Sequence, residues 1–385
     1  MTIRRVLGAV LVATLVIPGQ AFAAPGDTVT LAAEPATVTF GDQVTLSGAT
    51  SPPVGGQPVT VVEVVGGAAV ASAVTAPDGT YAVAITPDRN LDLRADWGTA
   101  SSAVVPVRVR AVVEASLGKP LLFGPARVIG RVHPAHAASH VVVRLLRRGK
   151  VIASTQAAVG TDGGFAARLT AMKAGKLRAR VEAPAGPLLE GETVTGGRVT
   201  PTPGLGVGAK GKVVKYFERR LRGLGYHLLG VNKRFDFRTA DAVLAFHKVQ
   251  GMPRLSHATK ATWRRLTKPR VPKPRAKRPK LHIEIDQTKQ VLYVVKEGKI
   301  WRIVHTSTGA GSATRDGVFR VHRKIAGFSP GRLYYPSYFD GNRAVHGWPI
   351  VPTYNASHGC SRVPYWTAIW LHGIMGYGTL VRIYH

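Results

Sequence analysis

The sequence is short of three things: cysteine, acidic side chains and long apolar runs. It holds one cysteine in 385 residues. A single thiol cannot bridge within its own chain, so no disulfide framework supports the fold. Only 21 Asp and Glu stand against 52 Lys and Arg, a formal net charge of +31. A field of that sign attracts anionic partners without reading a sequence. The most apolar run, Val6 to Ile17, lies near the N-terminus and is too short to span a bilayer comfortably.

What is present begins with that run. Arg4 and Arg5 precede it, Pro18 and Gly19 end it, and Ala21-Phe22-Ala23 follows as a small-x-small box. This reads as a secretory signal peptide over 1–23, with cleavage after Ala23. The expected mature chain is secreted, resides in the cell envelope or wall, and has no integral membrane segment after cleavage. An exported chain rarely meets nucleic acid, so nucleic acid is excluded as the partner of the basic field. Anionic wall polymers fit it. Export also sharpens the question of Cys360, which sits in "NASHGCSRVP" between Gly359 and Ser361. An unpaired thiol in a secreted chain is either an intermolecular bridge or a reactive group.

From Asp27 to about Thr200 the text alternates with period two, as in "QVTLSG", "PVTVVEVV" and "KLRARVEA", with turns at "PPVGGQ", "PDGT", "RRGK" and "TDGG". That is the pattern of antiparallel β-sandwiches. An internal repeat divides the region. "FGDQVTLSG" at Phe40 is echoed by "FGPARVIG" at Phe123, and "PDGTYAVAI" by "TDGGFAARL", each placing an aromatic, Tyr81 or Phe165, after an Asp-Gly turn. Two tandem immunoglobulin-like sandwiches are expected, 27–112 and 113–200, serving as spacers.

Residues 201–210 form a Pro/Gly linker. Beyond it the period becomes helical. Val213, Phe217, Leu221 and Leu224 share one face, and Thr239 is expected to cap a second helix that Gly251 closes. Ser256 or Thr259 opens a third, giving a three-helix unit over 211–267. "YFERRLRGLGY", "RFDFRTADAVLAFHKVQGM" and "ATKATWRRL" resemble the peptidoglycan-binding domain 1 family, although Val231-Asn232-Lys233 and His247 depart from its usual residues. The basic, Pro-rich stretch 268–280 is expected to be an extended, self-repelling linker.

From Leu281 the texture returns to β. "VPYWTAIWLHGI" reads as a helix with Pro364 at its first position and Gly373 at its C-cap. Cys360 is then expected just before a helix N-terminus, where unpaired N–H groups favour thiolate. His346, in "AVHGWP", is the candidate base, near enough in sequence to fold back onto the sulfur. No Cys-x-x-Cys or spaced His pair offers a zinc ligand set, so no metal is expected. Nor is any other cofactor, since no phosphate-binding loop is evident.

"HGW" with "SHGCSRV" and the upstream "STGAGSATRDGVFRV" closely resemble the YkuD-type L,D-transpeptidase catalytic domain, covering 281–385, with Arg315-Asp316-Gly317 departing from the usual Pro-x-Gly. The fold class expected is therefore multidomain and mainly β: two Ig-like sandwiches, a small three-helix unit and a β-rich C-terminal catalytic domain. The resemblance implies that Cys360 is acylated by a peptidoglycan stem peptide with release of D-Ala, and that another stem's amine resolves the thioester into a 3→3 cross-link. It implies His346 as base, the Gly347 carbonyl as its orienter, and N–H groups of Gly359 and Cys360 as oxyanion donors. His358 assists or shapes the site. Arg362 anchors a carboxylate or braces the loop, and Ser357 fixes it. Tyr334, Tyr335 and Tyr338 are candidates to line the donor cleft. Peptidoglycan stems and glycan are the implied partners. An L,D-carboxypeptidase and a non-enzymatic wall-binding protein remain as alternatives.

Overall fold

Period-two alternation buries one side of many strands, and the described chain, residues 26–385 of a computed structural model, is mainly β. The signal-peptide reading of 1–23 lies outside the described residues. Four α-helices are present among the described residues: α1 (Lys212–Gly223), α2 (Phe237–Gln250), α3 (Lys260–Thr267) and α4 (Tyr365–Ile374).

The N-terminal half contains four sheets in two units. In the first unit, strand Val44–Ser51 pairs with Thr80–Ile85 and faces a sheet centred on Leu91–Trp97, whose burial alternates strictly. In the second, Pro125–His133 pairs with Gly164–Thr170 and faces the sheet of His140–Arg147 and Gly175–Ala183. The sequence repeat is a structural repeat. Gly48 lies opposite Tyr81 and Gly130 opposite Phe165. A Cβ on either glycine would stand 2.6 Å from the aromatic side chain across from it. The glycine is required first because a backbone carbonyl, Thr30 O or Glu114 O, would stand 1.9 Å from that Cβ, with the ring closing the space from the other side. One apolar cluster, including Leu46, Leu93, Val143 and Leu177, runs through both units.

The three helices follow, with adjustments to the expected caps. Asp236, not Thr239, caps α2: its carboxylate accepts the N–H of Arg238 and of Thr239 at 3.0 Å each. Gly251 closes α2 in the left-handed region, at φ 65°. Thr259 caps α3 and forms a reciprocal capping box with Thr262. The helical core does not close on itself. Phe123 of the second β unit stacks on Trp263 at 5.9 Å, and Val291, Tyr293 and Ile303 of the C-terminal unit join the same cluster as Phe217 and Phe246.

The basic stretch 268–280 is docked rather than free. The Glu284 carboxylate accepts the N–H of Arg275 and Ala276, and the Arg275 guanidinium lies 3.8 Å over the Tyr384 ring. A buried carboxylate and an aromatic face overcome the mutual repulsion of the cations.

The C-terminal unit has two sheets. The five-stranded sheet runs in the order Lys299–His305, Val291–Lys296, Leu281–Asp286, Leu380–Tyr384, Gly317–Arg320; the four-stranded sheet runs Arg323–Lys324, Tyr334–Asp340, Arg343–Trp348, Ser361–Pro364. Ile285, Val294, Val345, Val363 and Leu371 pack between these sheets and α4. Pro364 caps α4 from outside and Gly373 lies within its last turn.

Candidate active site

Strands Arg343–Trp348 and Ser361–Pro364 run parallel, with Val345 opposite Ser361 and His346 opposite Arg362. Paired residues of neighbouring strands project to the same face, and successive residues to opposite faces. Val345, Gly347 and Val363 therefore turn toward α4, while His346, Trp348 and Arg362 share the other face. Cys360 continues that second set beside Ala344.

Cys360 thus precedes a strand, not a helix. Residues 361–364 intervene before α4, so the sulfur lies beyond the first turn, where the helix dipole acts. The thiol is half-buried, accepts the Ala344 N–H at 3.4 Å and donates to the Asn342 carbonyl at 3.8 Å. Burial raises its pKa, against smaller lowering effects from Ala344, Arg362 and Arg343. Burial thus favours the thiol in the free protein, against the expected thiolate.

His346 is buried, and its Nδ1 donates to the Gly347 carbonyl at 2.9 Å, with the tautomer assigned from that bond. Nε2 is left as the basic nitrogen. Burial pulls His346 down to about 4, with Arg362 adding to the shift and the Gly347 bond opposing it. Arg362 lies opposite His346 in the strand pair. Its guanidinium lies 4.1 Å over the Trp348 ring, its Nη1 donates to the Ala356 carbonyl at 3.1 Å, and its buried Nε has no partner among the described residues.

The turn that presents the thiol is held from both sides. Ser357 Oγ donates to the Cys360 carbonyl at 2.5 Å and accepts the Gly359 N–H at 3.1 Å. Thr314 Oγ1 donates to the Gly359 carbonyl, and Arg343 Nε donates to Ala313 O at 2.9 Å. Gly359 adopts φ +126°, and a Cβ there would meet both Ala313 O and Arg343 Nε at 2.8 Å. His358 is exposed. Of the three tyrosines, only Tyr338 belongs to the face that carries His346 and Arg362: it pairs with Ala344 and its ring takes the Arg323 guanidinium at 3.9 Å. Tyr334 packs on Tyr365 and Tyr335 on His372, both residues of α4, so these two rings are committed to the packing behind the sheet.

A second tier reaches the site from the helical unit. Lys248 of α2 is buried, and its Nζ donates to Gln290 O, Thr306 O and His305 Nδ1 at 3.0, 2.9 and 2.7 Å. His305 Nε2 in turn donates to Val351 O at 3.2 Å. Thr306 Oγ1 bonds Ser361 Oγ and the Arg362 carbonyl, and Ser307 exchanges backbone bonds with Arg362. Trp366 of α4 donates to Asp241 of α2 at 3.0 Å, and burial raises that carboxyl to about 6. Lys248, Thr306, Thr314 and Arg343 were not singled out from sequence. For Lys248 a signal exists: it lies in "ADAVLAFHKVQ", where α2 has almost no polar face.

Residues 280–383 match the family model described as the L,D-transpeptidase catalytic domain, YkuD. No curated protein matches the chain. Among solved structures, an L,D-transpeptidase from Xylanimonas cellulosilytica is 33% identical with TM-score 0.45, over 48% of this chain and 99% of its own. One from Stackebrandtia nassauensis is 24% identical with TM-score 0.31, over 49% of this chain and 98% of its own. One from Mycobacterium smegmatis is 11% identical with TM-score 0.25, over 71% of this chain and 99% of its own.

Proposed function

Because residues 280–383 of this chain are a catalytic domain of the YkuD L,D-transpeptidase family, we propose that the protein is an exported enzyme that forms 3→3 cross-links in peptidoglycan through a Cys360 thioester. The observation that carries this reading is one sheet face on which Cys360, His346 and Arg362 stand together.

Sγ attacks the carbonyl of the L-centred third residue of a donor stem. The thiol proton passes to His346 Nε2 and then to the departing amine as the bond to D-Ala breaks. The acceptor amine attacks the thioester, gives its proton back through His346, and restores the thiol. Burial disfavours charge on both groups in the free protein, so proton transfer accompanies attack instead of preceding it. The Gly359 N–H already serves Ser357, and the Cys360 N–H is assigned to the developing oxyanion. Arg362, held over Trp348 with a free Nε, offers charge to a stem carboxylate.

The helical unit is assigned to glycan binding and the two N-terminal units to spacing as Ig-like sandwiches. Intact-mass measurement after mixing with a tetrapeptide stem tests the nucleophile. The wild type should gain the mass of the stem less D-Ala, and Cys360→Ala should gain none while keeping its melting temperature. A stable adduct on the alanine variant would remove the assignment.

A further inference from the structure

The strand Gly175–Ala183 buries Leu177, Ala179 and Val181 and turns Lys176, Arg178 and Arg180 outward. Alternate residues on a strand lie about 7 Å apart. These cations open onto a concavity of about 670 Å³ that shares Arg147 and Gly175 with a second of about 790 Å³. The second runs between the β unit and α3, past Lys173, Lys260 and Arg264, and shares Ala261 and Arg264 with a third of about 460 Å³. The three adjoin through these shared residues and together form a trough across two structural units, lined by lysine and arginine among small and apolar residues and by no carboxylate.

Arg180 pairs with Glu192 at 3.3 Å. Among the described residues the other trough cations form no ion pair. Arg147 is positioned at the junction by its Nε, which donates to Ala174 O at 2.7 Å and leaves both Nη groups without a hydrogen bond among the described residues. Like charges gathered around a single paired carboxylate repel one another, and a linear polyanion would relieve that repulsion. The lining contains no Phe, Tyr or Trp. Sites for single-stranded nucleic acid stack bases on aromatic rings, and this one offers nothing to stack on. A bilayer is flat, whereas the trough is concave and elongated. We infer that the trough binds a linear, non-aromatic phosphodiester polymer of polyol or sugar units, at a site separate from Cys360.

The test uses the full chain and poly(glycerol phosphate) as probe, with affinity followed over about 50 to 300 mM salt. Charge reversal at Arg147, Arg178 and Arg264 to Glu should weaken binding at least about 100-fold and make the salt dependence shallower by about three counterions. The glutamine versions of the same positions should weaken it in the same sense but less. Reversal at Lys119, Arg127 and Arg168, exposed cations outside the trough, makes the same change in net charge and should cost less than about threefold. All variants should melt near the wild type, the largest shift coming from half-buried Arg147, which gives up its bond to Ala174 O. Equal losses in the two reversed variants would reduce the effect to net charge and overturn the site. Binding of phosphatidylglycerol vesicles or of a DNA oligomer that depends on the trough, without polymer binding, would overturn the proposed ligand.

Discussion

Gly359 has little freedom in the turn that holds Cys360. Its φ of +126° and the 2.8 Å approach of any Cβ to Ala313 O leave no room for a side chain. Gly359→Ala should cost about 1–3 kcal/mol in stability and more than about 100-fold in turnover, because the displaced turn carries Cys360, the proposed nucleophile. Thermal melts and stem turnover check this together. His346 has a distinct pH signature. A base held at about 4 is neutral and competent at every pH above that value, so kcat/KM should fall only as pH drops through about 4. An acid limb near 6 to 7 would mean that the buried imidazole carries no such shift. The motif made Cys360, His346 and Ser357 legible from sequence because they are local to one turn and its neighbouring strand. Thr314 and Arg343 act across long sequence separations, and no local pattern announces them; for Lys248 the apolar text of α2 around it is the one local sign.

At the scale of elements, α4 forms where the sequence predicts a helix, but Cys360 does not stand at its N-terminus. Four residues of strand separate Cys360 from that helix, and period alone does not fix where a short strand ends. The expected cap of α2 moved from Thr239 to Asp236 for a similar reason: several polar residues near a helix start compete, and geometry chooses. The same helix carries Lys248 into the interior. Burial pulls its amine down to about 6 from an ordinary 10.5, although three acceptors around Nζ suit the ammonium. The unfolded chain then binds a proton that the folded chain releases between those values, so this contribution to stability is lost as pH falls and regained as it rises. Wild-type melting temperature should climb from about pH 7 to 10 more steeply than that of Lys248→Met. That variant also leaves Gln290 O and Thr306 O without their donor, at about 1–3 kcal/mol for each buried group, and should lower turnover while KM changes little. Parallel pH curves for the two proteins would show that Lys248 keeps its ordinary affinity for protons.

For the whole molecule, the period switch from two to helical and back marked the changes of texture along the chain. The way the units sit together was not written in any one segment. Val291, Tyr293 and Ile303 belong to the same apolar cluster as the helices, and His227 is stacked between Trp366 and Trp370 at 4.8 and 4.0 Å. A chain trimmed to 281–385 exposes those side chains, each worth roughly 1.5–3 kcal/mol when buried. It should melt well below a 205–385 fragment and aggregate on heating, as light scattering would register. Equal melting temperatures would mean that the helical unit is a passenger. The central claim concerns chemistry, and product analysis reaches it most directly. Purified protein lacking residues 1–23 is incubated with disaccharide-tetrapeptide and the products are weighed. The account predicts a dimer lacking one D-Ala, absent with Cys360→Ala; tripeptide monomer as the sole product, or unchanged substrate, would contradict it.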